Sequence, residues 1–134
     1  MTRALEIFAL IHLTLMGLSH VLHHRAWAEF FIRLRGIGYG GVYVHGFLSL
    51  GFGSMILAFH RVWSGVPLML TILGVLYLAK TLQCFLLPQV SMRSLNRVTV
   101  EGSRVFIGAG VMLLFFAGVA AVALAKGWGA ESGG

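Results

Sequence analysis

The chain has 134 residues, of which 58% are hydrophobic and 10% are charged. Soluble domains carry about 25% charged residues, so this composition excludes a soluble globular domain, and it excludes a disordered chain as well. The formal net charge is +6, and most of the positive charge falls in two short connecting segments. Such placement is typical of membrane topology signals and of contact with anionic lipid, so we expect no nucleic-acid partner.

Four apolar stretches are each long enough to cross a bilayer, which requires about 20 residues. They predict an all-α integral membrane protein with a single four-span domain over residues 1–134. The predicted spans are residues 4–24, 41–60, 66–87 and 105–125. The start of the first span resembles a signal peptide, but no small-x-small cleavage site follows it, so we expect this segment to be retained.

Two of the connections between spans are longer than turns. Between the first and second spans, apolar residues recur at helical spacing, at Trp27, Phe30, Phe31 and Leu34. Charged residues alternate with them, which predicts a short amphipathic helix in the headgroup layer. A weaker version of this pattern, at Leu95 and Val98, lies between the third and fourth spans. The expected architecture is two helical hairpins, each with an amphipathic interfacial connector.

The two halves of the chain repeat this order of elements. A shift of about 63 to 65 residues lays His20 over Gln83 and Trp63 close to Trp128, which indicates a repeat of architecture. Six arginines lie in the two connectors, against three basic residues at the opposite end of the spans. This bias favours an inner (cytoplasmic) membrane location with the connectors inside and both termini outside.

Ionisable and polar residues within the spans are candidate site residues, because such groups are costly inside a bilayer. If neighbouring spans are antiparallel, His20, His45 and Gln83 lie at one depth, close to Cys84, with Lys80 about one turn deeper. We therefore consider His20, His45, Lys80 and Gln83 as a cofactor-binding set. One hypothesis is a haem b held by His20 and His45. The alternative is that the two histidines form ordinary interfacial hydrogen bonds.

The sequence His-x-x-His-His at residues 20–24 suggests a second kind of site. His20, His23 and His24 share one face of a continuous helix, and His45 would be the fourth ligand of zinc or another transition metal. The motif resembles one histidine box of the membrane fatty-acid desaturases and hydroxylases. Those enzymes need several such boxes, and this chain has six histidines in all, so we exclude membership. The alternative is that His23 and His24 simply lie at the headgroup level.

A transport pathway is a third possibility, in which Lys80 is a charge relay or an anion contact. The alternative is that Lys80 extends to the headgroups. Glu6 is expected at the opposite membrane margin, where it reaches the headgroups or pairs with Arg3. We predict no catalytic residues, since the chain has no aspartate and its glutamates lie at membrane margins or in the tail.

Small residues on the second and fourth spans favour close helix packing, first within the bundle and otherwise at a dimer seam. They are Gly46, Ser49, Gly53, Ser54, Gly110, Ala117, Gly118, Ala121 and Ala125. The leading expectation for function is an accessory or assembly subunit of a larger membrane complex, or a homo-oligomer, in the lipid bilayer. The alternatives are an electron-transfer subunit that binds haem or metal, and a small transporter.

Overall fold

The computed structural model describes residues 2–60 and 62–127, which form six helices and no strand. The helices are α1 (Thr2–Leu22), α2 (His24–Gly36), α3 (Tyr39–Phe59), α4 (Leu68–Leu86), α5 (Pro88–Asn96) and α6 (Val105–Ala125). Of these, α1, α3, α4 and α6 are long and apolar enough to cross a membrane, which indicates an integral membrane protein. Their boundaries agree to within two residues with the spans predicted from hydropathy.

Proline and glycine set the ends of several helices. Pro67 immediately precedes α4, and Pro88 is the first residue of α5, where the missing amide hydrogen of proline leaves no helical bond unmade. Gly38 and Gly65 have positive φ values of 77° and 66°, in the turns that lead into α3 and α4. Glycine adopts this backbone conformation without a steric penalty.

The long helices pack in two pairs, α1 with α6 and α3 with α4, whereas α1 and α3 share few contacts. The expected hairpins, which joined the first span to the second and the third to the fourth, are therefore not confirmed. The helices that pack closely are instead those that have small residues at their contacts. Gly17 of α1 lies against the carbonyl of Gly110 of α6, and Gly53 of α3 lies against Tyr77 of α4. In lipid such close approach drives helix association.

The two short helices lie together at one end of the bundle, here called the connector end. The guanidinium of Arg35, at the end of α2, donates to the backbone oxygen of Val98, just after α5, at 3.2 Å. Helix α2 buries Ala28 and Leu34. The opposite end, where residues 60–67 join α3 to α4 and where α1 begins, is here called the turn end. Interfacial placement of α2 and α5 stays a prediction.

Packing contacts recur at an offset of 64 residues between the two halves of the chain. A Cβ atom on Gly46 of α3 would lie 2.8 Å from the Cβ of Cys84 on α4. A Cβ atom on Gly110 of α6 would lie 2.9 Å from the Cβ of His20 on α1. The contact of α3 with α4 is therefore equivalent to the contact of α6 with α1, as a repeated architecture requires.

Hydrogen bonds recur at the same offset. Trp27 Nε1 donates to Ser19 Oγ at 2.9 Å, and Gln83 Nε2 donates to Ser91 Oγ at 3.3 Å, with the donor and acceptor helices exchanged. The offset of 64 residues places His20 opposite Cys84. Gln83, which the sequence overlay aligned with His20, is instead equivalent to Ser19. The overlay was shifted by one residue because residue identity between the halves is low.

Candidate functional site

His20 lies near the connector end of α1 and is almost fully buried, with 8% of its surface exposed. Its Nδ1 atom is 2.7 Å from the carbonyl oxygen of Met16, so Nδ1 carries the hydrogen and donates it. Nε2 then carries the lone pair and is the ring nitrogen that remains for a ligand. The ring stacks on Trp27, with 4.0 Å between the ring centroids.

His45 lies on α3, half-buried, and its ring packs edge-on against Phe31 at a centroid distance of 4.9 Å. Phe31 stacks on Phe106 at 5.4 Å, and Phe106 lies 6.2 Å from the ring of His20. A chain of two phenylalanine rings thus connects the two histidines. A haem between the imidazoles needs this space, so the packing does not support the haem hypothesis, which stays a prediction.

Lys80 is an exposed residue of α4. Its positive charge is near enough to influence both His20, of the α1–α6 pair, and His45, of the α3–α4 pair. The neighbouring Thr81 hydroxyl donates to the carbonyl of Gly46 at 3.4 Å, which sets Lys80 at about the height of His45. Among the described residues no carboxylate forms an ion pair with Lys80. Lys80 is thus a positive charge for which residues 2–60 and 62–127 provide no counter-ion at ion-pair distance.

Gln83 and Cys84 belong to a different contact. Gln83 donates to the Ser91 hydroxyl, and that hydroxyl donates to Cys84 Sγ at 3.5 Å. These bonds fix α5 against α4. His20 and His45 are connected through Phe31 and Phe106, whereas Gln83 belongs to the separate contact with α5. A shared site of His20, His45, Lys80 and Gln83 stays a prediction.

The four histidines proposed as metal ligands do not converge. Helix α1 ends at Leu22 and α2 begins at His24, so the chain bends at His23 and the helical face that the motif requires is interrupted. His24 Nδ1 lies 2.9 Å from Ser103 Oγ, and His23 is exposed. Within residues 2–60 and 62–127, no group of three or more His, Cys, Asp or Glu residues is placed to hold a metal ion.

A polar cluster that the sequence analysis missed lies at the turn end. Glu6 and His60 are 1% and 0% exposed, and His60 Nε2 lies 3.7 Å from Glu6 Oε1. His60 Nδ1 lies 3.1 Å from the hydroxyl oxygen of Thr71, which donates to the carbonyl of Val62 at 2.8 Å. Glu6 is therefore buried inside the protein and does not reach the headgroups, because α1 places it against the end of α3. The expected neighbour Arg3 does interact with Glu6 electrostatically.

Two features of the sequence indicated this cluster, but neither of them predicted the contact between Glu6 and His60. Glu6 is the one acidic residue inside an apolar span, and His60 directly follows another span. Their depths could be read from the sequence, because α1 begins and α3 ends at the same end. Their contact could not, because it depends on which helices pack together.

The ionisable groups of both clusters have no ionisable equivalent in the other half of the repeat, apart from the thiol of Cys84. At the offset of 64 residues, Glu6 and His60 are equivalent to Leu70 and Leu124. The centre at the connector end behaves in the same way, since apolar or weakly polar residues replace all three of its members. His20, His45 and Lys80 are equivalent to Cys84, Ala109 and Met16.

Comparison of the chain with known protein families, with curated proteins and with solved structures finds no match. We therefore infer function from the two polar clusters described above.

Proposed function

We propose that this protein is a small integral membrane transporter for an anion, with Lys80 as its contact in the pathway. The observation that carries the proposal is the presence of Lys80 within the apolar helix α4, where no carboxylate of the described residues forms an ion pair with it. Charged side chains within membrane spans are rare and mark ion and substrate pathways. A cation that has no carboxylate partner in the described chain is complementary to an anion from outside it.

The charge of the connector end supports an anionic substrate. Six arginines lie in this region, at Arg25, Arg33, Arg35, Arg93, Arg97 and Arg104. The acidic residues nearby are Glu29 and Glu101, and in the described part of the chain neither forms an ion pair with these arginines. A surface of one sign raises the local concentration of the opposite ion. We further propose that α2 and α5 lie in the cytoplasmic headgroup layer, with both termini outside.

The packing of the spans provides a way to expose the centre alternately. The α1–α6 and α3–α4 pairs are tightly packed within themselves and meet each other through fewer contacts. Transporters built from structural repeats bind substrate where the repeated parts meet and open by rocking one part against another. We propose that His20, His45 and Lys80 lie at such a junction, so that relative movement of the pairs changes access to Lys80.

The transport proposal is tested by uptake of radiolabelled phosphate and radiolabelled acetate into vesicles that contain the purified protein. Lys80→Met installs the residue found at the equivalent position 16. A charge-assisted contact contributes about 1.5–3 kcal/mol, so we expect uptake to fall about tenfold or more. Lys126→Met, which follows the last span, is the control and retains uptake. Unchanged uptake by Lys80→Met would contradict the proposal.

Association with other membrane subunits, or with copies of the same chain, is a second candidate function. Gly46, Gly53, Gly110 and Ala117 pack inside the bundle, but several small residues do not. Ser54, Gly118, Ala121 and Ala125 are exposed on α3 and α6, and a Cβ atom on Gly118 meets no neighbour within 4 Å. Exposed small residues let a second helix approach closely.

This second function is tested by native mass spectrometry after purification in mild detergent. Gly118→Leu is expected to release the bound subunit or second copy. Val111→Leu changes a residue on α6 that is already large and exposed, so it leaves the association intact. A wild-type chain that remains a lone monomer would count against a subunit role.

A further inference from the structure

We propose that Glu6 and His60 form a proton-binding site, which holds one exchangeable proton between the carboxyl group of Glu6 and Nε2 of His60. The two side chains approach from different helices, Glu6 from α1 and His60 from the residue after α3. The 3.7 Å contact is sealed from solvent, and Glu6 Oε1 and His60 Nε2 have no hydrogen-bond partner among the described residues. The ligand of this site is the proton itself.

The hydrogen bond with Thr71 determines the tautomer of His60, so that Nε2 presents its lone pair to Glu6. The hydroxyl hydrogen of Thr71 is given to the carbonyl of Val62, so toward His60 the hydroxyl can only accept. Nδ1 of His60 must therefore carry a hydrogen and donate it to Thr71. In the neutral imidazole the other nitrogen, Nε2, then has a lone pair that points at Glu6.

The contact between Nε2 and Oε1 requires one hydrogen. A neutral His60 beside an ionised Glu6 would set two buried acceptors against each other, and a buried acceptor that lacks a donor is destabilising. Uptake of one proton from solvent converts this pair into a carboxylic acid that donates to Nε2. Transfer of that proton within the pair gives a carboxylate and an imidazolium, with Nδ1–H still bound to Thr71. Both arrangements contain one proton more than the unprotonated pair.

The surroundings of the pair favour a shared proton over a free charge. Burial lowers the pKa of His60, although a backbone hydrogen bond opposes part of that effect, so the neutral imidazole is favoured. On α1, Arg3 acts electrostatically on Glu6, and α4 contributes the uncharged Thr71. The core residues that α6 contributes near this end, Val119 and Ala120, are apolar. Arg61, which follows His60, lies outside the described residues.

The fold does not require a polar pair at this position. The equivalent residues of the second half are Leu70 and Leu124, and Leu70 is 1% exposed. Replacement of a buried charged pair by apolar residues is often neutral or stabilising. A glutamate and a histidine in the place of two leucines are therefore better explained by what they bind than by the stability they provide.

The position of the pair connects proton binding to transport, and this step depends on the proposed transport function. Glu6 belongs to the α1–α6 pair, and His60 continues the α3–α4 pair. A proton at their contact attracts the two helix pairs, and its loss leaves two acceptors that repel. Trp63 and Ser64 are exposed close by, so solvent lies a few residues from the site. Proton binding at the turn end thus biases the same junction at which Lys80 lies.

The test is infrared spectroscopy of the full chain in lipid vesicles at neutral pH, together with NMR of nitrogen-labelled histidine. We expect the wild type to show either a carboxylic-acid C=O band with a neutral His60 or a carboxylate with a doubly protonated His60. Glu6→Gln removes that signature. Glu29→Gln, at an exposed glutamate of α2, leaves it intact. An ionised Glu6 beside a neutral His60 in the wild type would overturn the proposal.

A second variant provides an independent test in case the Glu6→Gln protein does not insert into the membrane. Thr71→Val removes the hydroxyl that holds Nδ1–H, so we expect the NMR signals of His60 to show a mixture of the two tautomers. Signals of His60 that Thr71→Val leaves unchanged would contradict the assigned geometry. These spectra do not depend on transport, so a wild type that shows the proton signature but moves no anion would refute the transport proposal alone.

Discussion

The two halves of this protein, α1 to α3 and α4 to α6, form equivalent contacts with different chemistry. Gly46 meets Cys84 in one contact and Gly110 meets His20 in the other, at an offset of 64 residues. The ionisable members of both polar clusters other than Lys80 lie in the first half, at positions where the second half has apolar residues or cysteine. The contacts that both halves share determine the fold, and the residues that only one half possesses are the candidates for function.

The largest expected effect comes from the shared glycine contacts. Gly110→Ala places a Cβ atom 2.7 Å from the carbonyl oxygen of Gly17, and Gly46→Ala places one 2.8 Å from the Cβ of Cys84. Overpacking of this kind destabilises by about 1–3 kcal/mol, so we expect both variants to melt earlier in detergent. Gly118→Ala, with open space around it, is the control. A loss of stability in only one of the two variants would break the equivalence of the halves.

Replacement of Glu6 and His60 by leucine tests whether the fold needs the polar pair. Glu6→Leu alone leaves the buried His60 Nε2 without a donor, which is expected to reduce the free energy of unfolding by about 1–3 kcal/mol. The double variant Glu6→Leu/His60→Leu reproduces the residues of the second half and is expected to be at least as stable as the wild type. Thermal unfolding in detergent measures both. A double variant less stable than Glu6→Leu would show that the polar pair holds the fold together.

The pH dependence of stability is expected to differ between the wild type and this leucine pair. Above about pH 6.5 the unfolded chain holds no proton on either Glu6 or His60, whereas the folded pair is proposed to keep one. The folded state therefore binds more protons in this range, so the stability of the wild type falls as the pH rises above about 6.5. Melting temperatures should fall more steeply with rising pH in the wild type than in Glu6→Leu/His60→Leu.

A control for this prediction is His23→Gln, at an exposed histidine whose side chain forms no hydrogen bond with the described residues. It is expected to keep the wild-type slope. Equal slopes in the wild type and the leucine pair would show that the Glu6–His60 pair does not hold the titrating proton.

The smallest expected effect concerns the repeated hydrogen bonds. Ser19→Ala removes the acceptor of Trp27, and Ser91→Ala removes the acceptor of Gln83. Each is expected to destabilise by about 0.5–1.5 kcal/mol, the net contribution of one hydrogen bond. Chemical unfolding in detergent measures the two changes. A marked inequality between them would indicate that α2 and α5 are anchored differently despite their equivalent positions.

Hydropathy was sufficient to predict the four spans because burial in lipid demands long apolar runs whatever their tertiary partners are. The pairing of helices was not predictable in this way. Gly17 and Gly110, which bring α1 and α6 together, are 93 positions apart in the chain, and nothing local distinguishes them from glycines that face outward, such as Gly118. The sequence therefore favoured pairing of helices that are neighbours in the chain, whereas the observed pairs are those in which small residues meet.

The candidate sites were predictable to different degrees for the same reason. His20, His45 and Lys80 could be grouped by depth alone, because depth follows from the position of a residue in its span. Glu6 and His60 could be placed at one end of the bundle, but their contact required knowledge of how the two helix pairs meet. The helix break at His23, which separates His20 from His24, has no clear signal in the sequence.

The most direct measurement is anion uptake into vesicles with an imposed pH gradient, for the wild type and for the chain Glu6→Leu/His60→Leu/Lys80→Met. This triple variant gives the first half the residues of its counterpart at the proton site and removes the cation at the junction. We predict that the variant folds and inserts, but that uptake falls about tenfold or more and no longer responds to the pH gradient. Uptake equal to that of the wild type, with the same response to pH, would contradict the claim that function resides in the residues the halves do not share.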